Sequence, residues 1–179
     1  TDSLPLSSTI ISLVDALAQS LEVITHAKAS PEVQAIALAA FLNLAQGVKA
    51  VIGASARIRD VLSWGSLLMG IAFAHAGLGL PHALVHFCNK FGLSHGHMVG
   101  IMLVPGLQVQ AAKNFPTALR LGRILPTLTS SAKEDTMSIN FDDESAAPSD
   151  LELHQLWPWL EKAITNLFNQ VSLETSLQE

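Results

Sequence analysis

The 179 residues are 49% hydrophobic and only 14% charged, with a net charge of −5 and a single cysteine. That length makes one domain, or one and a half at most, and residues 1–179 are read as a single domain with a core of its own. Ten Lys and Arg, with no basic run among them, exclude a nucleic-acid partner, whose phosphates demand clustered cations. The lone Cys88 excludes a disulfide framework and fits a reducing, cytoplasmic setting.

The opening Thr1–Pro5 carries no basic-then-apolar targeting pattern. Ile10, Ile11, Leu13, Val14, Leu17, Leu21 and Ile24 then recur at helical spacing and predict a first helix over 8–28. Ser30-Pro31-Glu32 is a helix start, with a hydroxyl cap and proline at the first helical position, and the second helix runs to about residue 52. A third is predicted over 55–74, stopped by Gly77 and Gly79. Pro81 opens a short fourth to about residue 89. A fifth, capped by Ser94, ends before Pro105, a sixth covers 107–114 and a seventh 116–125.

Residues 61–89 contain no Asp, Glu, Lys or Arg and are long enough to cross a bilayer. The Gly77-Leu-Gly-Leu-Pro81 breakers and three histidines argue instead for a buried helix pair, and no membrane partner is expected. Residues 126–150 lose the apolar period and read as a mobile polar loop. Asp142-Asp143-Glu144 within it reads as solvated, because calcium loops need a longer regular pattern of ligands. Asp150 caps a last helix over 151–172, where Pro158 marks a kink or the true start. With no convincing strand and no repeat, the fold class is an all-α multi-helix bundle, its chemistry confined to 5–125.

The chemistry-bearing side chains cluster at His82-Ala-Leu-Val-His86 and Ser94-His95-Gly96-His97. His82 and His86, four apart, share a helix face. A chain reversal at Gly92 can return His95 to that face. Imidazole is the commonest ligand for divalent transition metals, so the readings are metal binding or else hydrogen-bonded core or interface histidines. Asp15 is a carboxylate on an otherwise apolar stretch and also needs a partner. Cys88 reads as a buried structural thiol. His75 falls off the His82/His86 face, His26 and His154 read as surface residues, and Trp157 and Trp159 as packing residues or a hydrophobic face missing its partner.

The run Met69-Gly-Ile-Ala-Phe-Ala-His-Ala-Gly-Leu-Gly-Leu-Pro-His82-Ala-Leu-Val-His86, followed by Ser94-His95-Gly96 and Ile101-Met-Leu-Val-Pro105, resembles the C-terminal helical domain of the iron-containing (group III) alcohol dehydrogenases. Upstream, Asp15-Ala-Leu-Ala-Gln19-Ser-Leu-Glu22 resembles that family's Asp-Ala-Leu-Thr-His-Ala-Ile-Glu, and Ala118–Ile124 fits the family's order. The resemblance implies a fold of the dehydroquinate synthase-like type. It implies a divalent metal, iron or zinc, at the positions of Asp15, Gln19, His82 and His95, with His86 in proton relay. It also implies NAD(P)-linked alcohol/aldehyde interconversion, the metal polarising the alcohol oxygen.

Three differences accompany the resemblance. Gln19 stands where the family has an imidazole. The interval from His86 to His95 is one residue shorter, which makes His97 a competitor for the ligand position. No Gly-x-Gly-x-x-Gly follows a strand, so NAD(P) would need a separate nucleotide-binding domain or chain, and the chain alone is expected to be inactive. The alternative is a non-catalytic helical interaction or oligomerisation domain with a decayed metal site. On either reading, apolar faces with so few charges favour a homo-oligomer.

Overall fold

The computed structural model describes residues 4–52, 58–88, 90, 92–114, 117–122, 124 and 150–173. Among them there is no strand, and the elements are α1 (Leu6–Thr25), α2 (Pro31–Ile52), α3 (Ile58–Phe73), α4 (Leu80–Val85), α5 (His95–Lys113), α6 (117–122) and α7 (Asp150–Asn169). The predicted polar loop and its Asp142–Glu144 run lie outside the described residues, except for Asp150, which is already helical.

Helix α1 is the central column, packed by α2, α3, α5 and α7. Ile10, Val14, Leu17, Leu21 and Ile24 are wholly buried along it, as the three-and-four spacing requires of a helix enclosed on several sides. It is long and apolar enough to span a bilayer, yet 72% of its apolar window is buried inside the bundle, which is the signature of a core helix. Ser30 caps α2 as its sequence predicts: its Oγ accepts from the Val33 N–H at 3.4 Å and donates to Glu32 at 2.6 Å. Phe41 on α2 meets Trp159 on α7 with ring centroids 6.1 Å apart, and Phe168 closes the core against α5.

The structure differs from the sequence-based expectation at three places. Pro105 does not end a helix: α5 runs through it as one element. Pro105 is exposed, so water can take the hydrogen bond that its missing N–H leaves on the carbonyl four residues back. Pro158 likewise lies inside α7, on its exposed side. The 61–89 segment is no fully buried pair either. It breaks at Phe73, turns through Gly77 at φ +130°, and leaves Trp64, Leu67, Ile71 and Phe73 exposed on α3.

Two close approaches set the site's position. The N-terminal turn of α5 lies so near α1 that a Cβ on Gly96 would meet the Ile11 carbonyl oxygen at 2.5 Å and the Asp15 Cβ at 3.1 Å. Four residues on, a Cβ on Gly100 would strike Phe168 at 2.6 Å and Val14 at 2.8 Å. Farther along α5, Gly106 receives Pro81 of α4. Glycines along α5 are therefore what let α1, α4 and α5 converge.

Candidate metal centre

Asp15 projects from the middle of α1, His82 from α4 and His95 from the first position of α5. One ligand atom from each lies within 4.8 Å of the other two. Asp15 Oδ1 stands 3.2 Å from His82 Nε2 and 3.5 Å from His95 Nε2, and the two imidazole rings are 5.4 Å apart. His82 is buried, Asp15 half-buried, and His95 exposed, so the cluster forms a polar notch that opens to solvent on the α5 side.

Sequence reasoning did not assign a role to Glu22. It is wholly buried and reaches α4 from α1. Oε1 accepts the Gly79 N–H at 3.0 Å and the His82 N–H at 3.2 Å, and Oε2 accepts from His82 Nδ1. Helix α4 has glycine at its N-cap and no side-chain cap of its own, so Glu22 satisfies orphan donors there from a different element. The available signal was its spacing: seven residues after Asp15 is two turns, and these are the acidic residues of α1. Gln110 supports the same turn, its Oε1 accepting from the Leu80 N–H at 3.3 Å.

The His82 ring thus has a carboxylate oxygen at each nitrogen. Burial pulls its pKa down, but hydrogen bonds to Asp15 and Glu22 and the charges of both outweigh burial and raise it from 6.5 to about 9. The arrangement calls for positive charge between Nε2 and Asp15 Oδ1, supplied either by a proton or by a cation that both atoms bind. One carboxylate and two imidazoles are the donor set that divalent iron and zinc take, and three protein ligands suffice for a catalytic metal. The residues therefore fit such an ion.

The other sequence candidates separate clearly. Gln19 lies one turn along α1, and its Nε2 donates to Asp15 Oδ2 at 2.9 Å, holding the oxygen that does not face His82. His86 is exposed at the C-cap of α4, one turn beyond His82, outside the Asp15–His82–His95 cluster. His97 does not compete with His95. Two residues farther along a helix lies on roughly the opposite side, and His97 is buried edge-on against Phe168 at 4.8 Å. His75 is exposed, with Nδ1 2.8 Å from the Ile71 carbonyl, and Cys88 is a buried free thiol. His26 is half-buried rather than a plain surface residue: its carbonyl accepts from Arg120 at 2.9 Å, which ties α6 to the end of α1. Trp157 is buried and Trp159 half-buried, both packing in the core, while the side chain of His154 lies outside the described residues.

A cavity of about 450 Å³ opens between α1 and α3, lined by Leu4, Leu13, Arg59, Leu62 and Leu67 among others. It shares no residue with the histidine cluster. Its one charged group, Arg59, donates to Thr9 Oγ1 and to the Leu4 carbonyl.

Comparison with known proteins gives the cluster its context. Residues 9–152 match the C-terminal region of the Fe-containing alcohol dehydrogenase family. The chain is 31% identical over 114 residues to maleylacetate reductase 1 of Rhodococcus opacus, a match covering 62% of this chain and 32% of that protein. It is 28% identical over 102 residues to 1,3-propanediol dehydrogenase of Klebsiella pneumoniae, covering 55% of this chain and 26% of that protein. Among solved structures, the iron-containing alcohol dehydrogenase of Thermococcus thioreducens superposes with a TM-score of 0.71 at 22% identity, over 94% of this chain and 40% of that one, which shows a shared fold. The matches to these curated relatives thus span about a quarter to a third of each relative's length. With its family region matched over most of its length and its helices superposing on a member's, this chain belongs to the Fe-containing alcohol dehydrogenase family.

Proposed function

We propose that the chain is the metal-holding helical part of an oxidoreductase that interconverts alcohols and aldehydes with NAD(P), and that Asp15, His82 and His95 hold divalent iron or zinc. The observation that carries this reading is the convergence of those three side chains, from three helices, on one point. A bound cation supplies Lewis-acid polarisation of an alcohol oxygen. The chain's own residues do the rest. Asp15 contributes the negative charge that retains the ion, and Gln19 steers it by occupying the second carboxylate oxygen. His95 stands at the open side, where substrate enters. His86 is exposed one turn beyond His82 and passes the alcohol proton to water. A nucleotide-binding domain, on the same polypeptide or another, supplies NAD(P). We place the assembly in the cytoplasm, where Cys88 stays a thiol.

Metal analysis of the purified chain tests the reading. Stoichiometric iron or zinc is expected, and His82→Ala, which removes one of three ligands, should abolish it. The 179 residues given NADH, an aldehyde and ferrous or zinc ions should show no turnover, and adding a nucleotide-binding domain should elicit it. Turnover by the chain alone would overturn the division of labour.

A second reading has its own support. Gln19 replaces an imidazole, and Trp64, Leu67, Ile71 and Phe73 are exposed on α3. Both features suit a non-catalytic, self-associating helical domain whose metal site has decayed. A stable oligomer that takes up no metal favours it, and recovery of metal binding in Gln19→His would show the remainder of the site to be intact.

A further inference from the structure

We infer that Glu22 is the positioning residue of this site: it fixes the proton of His82 on Nδ1 and so directs the Nε2 lone pair at the point shared with Asp15 and His95. The inference rests on the metal reading above for its consequence, but its structural premise is independent of any ion. A carboxylate accepts and cannot donate, so the Oε2 contact places a ring proton on Nδ1, and the second proton of the metal-free ring, on Nε2 toward Asp15, is the one an ion displaces. The other oxygen, Oε1, simultaneously holds the backbone N–H of His82 and of Gly79. One buried carboxylate therefore fixes the ring's rotation, its tautomer and the backbone from which it projects. Such outer partners of ligating histidines affect metal affinity by about 10–100-fold. Burial makes the assignment firm, because the Glu22 carboxylate has no water to turn to and, among the described residues, its hydrogen bonds run to Gly79 and His82 at the start of the His82 helix.

The two oxygens make the idea separable from a purely structural role. In Glu22→Gln the amide oxygen still accepts the two backbone N–H groups, while the amide nitrogen faces Nδ1 and donates to it. The neutral ring then keeps its one remaining proton on Nε2, where it blocks the metal. The experiment uses the whole chain, metal-free and zinc-loaded. Nitrogen-15 NMR of the histidine rings of the metal-free chain, recorded above about pH 9 where the ring keeps one proton, reports which His82 nitrogen bears it, and competition with a chromophoric chelator reports zinc affinity. In the unsubstituted chain Nδ1 should carry a proton with and without zinc. In Glu22→Gln, Nδ1 should be bare, zinc affinity should fall by about 10–100-fold, and the thermal midpoint of the metal-free protein should shift by only a few degrees. A protonated Nδ1 in that variant, or unchanged zinc affinity, overturns the inference. If the unsubstituted chain takes up no zinc, the metal reading fails, while the Nδ1 measurement still decides the role of Glu22. Should Glu22→Gln fail to fold, a bare Nδ1 in the unsubstituted chain overturns the assignment and a protonated one upholds it.

Discussion

The corner where α1, α4 and α5 meet and the layer formed by α2 and α3 are built on different principles. Both depend on glycine for close approach. In the α2–α3 layer a Cβ on Gly65 would meet the Leu44 side chain at 2.9 Å, and one on Gly47 would meet the end of Leu62 at 2.2 Å. Those neighbours are side chains, which can give more than backbone can, although Gly65 also faces the Asn43 Cβ at 3.2 Å. In the corner, a Cβ on Gly96 would meet the Ile11 backbone oxygen, which cannot give way. Polar groups divide the same way: Asp15, Glu22, His82, His95, Gln19 and Gln110 gather at the corner, whereas the α3 face is apolar and open. Tolerance to substitution should therefore be high in the layer and low in the corner, for a reason of geometry rather than of burial alone.

The largest effect on stability should nevertheless come from the layer. Phe41 is fully buried against Trp159, and Phe41→Ala should destabilise the chain by about 3–5 kcal/mol. Where the variant remains folded, zinc affinity should be unchanged, because Phe41 lies on α2, outside the helices that carry Asp15, His82 and His95. Denaturant titration combined with zinc competition checks both halves. Gly96→Ala should come next, with a loss of about 1–3 kcal/mol through overpacking. Unlike Phe41→Ala, it should also weaken zinc binding, since pushing α5 off α1 withdraws His95 from Asp15. Gly65→Ala, with only a side chain to displace, should lose less stability and keep zinc affinity. Equal losses of zinc affinity in the two glycine variants would remove the distinction between corner and layer.

A pH series sharpens the comparison. In the metal-free chain the folded pKa of His82, about 9, lies above its unfolded value of 6.5, so the native state binds the proton more tightly. That contribution to stability is complete below pH 6.5 and is lost as the pH rises through about 9. Urea midpoints of the metal-free protein should fall across that window, and His82→Gln should flatten the fall. Zinc replaces the proton on Nε2, so its affinity should rise over the same interval. The smallest effect belongs to the open α3 face. A Cβ on Gly70 meets nothing within 4 Å, and Gly70→Ala should stabilise the chain by about 0.5–1 kcal/mol by restricting the unfolded chain and favouring helix. A thermal midpoint that does not rise would show that this face is already engaged.

Much of this organisation was legible in the residues. The spacing of Leu13, Val14, Leu17 and Leu21 marks α1 and Ser30-Pro31 starts α2, because periodicity and capping act within a turn or two of chain, whereas Ser94 holds the N-cap position of α5 without the side-chain hydrogen bond expected of a cap. The interval between His82 and His86 likewise establishes that they share a face. It did not reveal that their environments differ so sharply, one buried between two carboxylates and the other in solvent. Pro105 was misleading for a related reason: whether a proline ends a helix depends on whether the carbonyl it orphans can reach water, which local sequence does not state.

From the sequence alone followed the helical class, the approximate elements, the family resemblance and a short set of candidate ligands. Tertiary structure decided which of them meet: Asp15, His82 and His95 come from positions 67 and 13 residues apart along the chain, and Glu22 reaches His82 across 60. Those encounters are set by how closely three helices can approach, and that in turn is set by contacts such as Gly96 on Ile11 and Gly106 on Pro81. Side-chain pattern along a helix selects the face that is buried, whereas the atoms of a neighbouring helix select what that face touches.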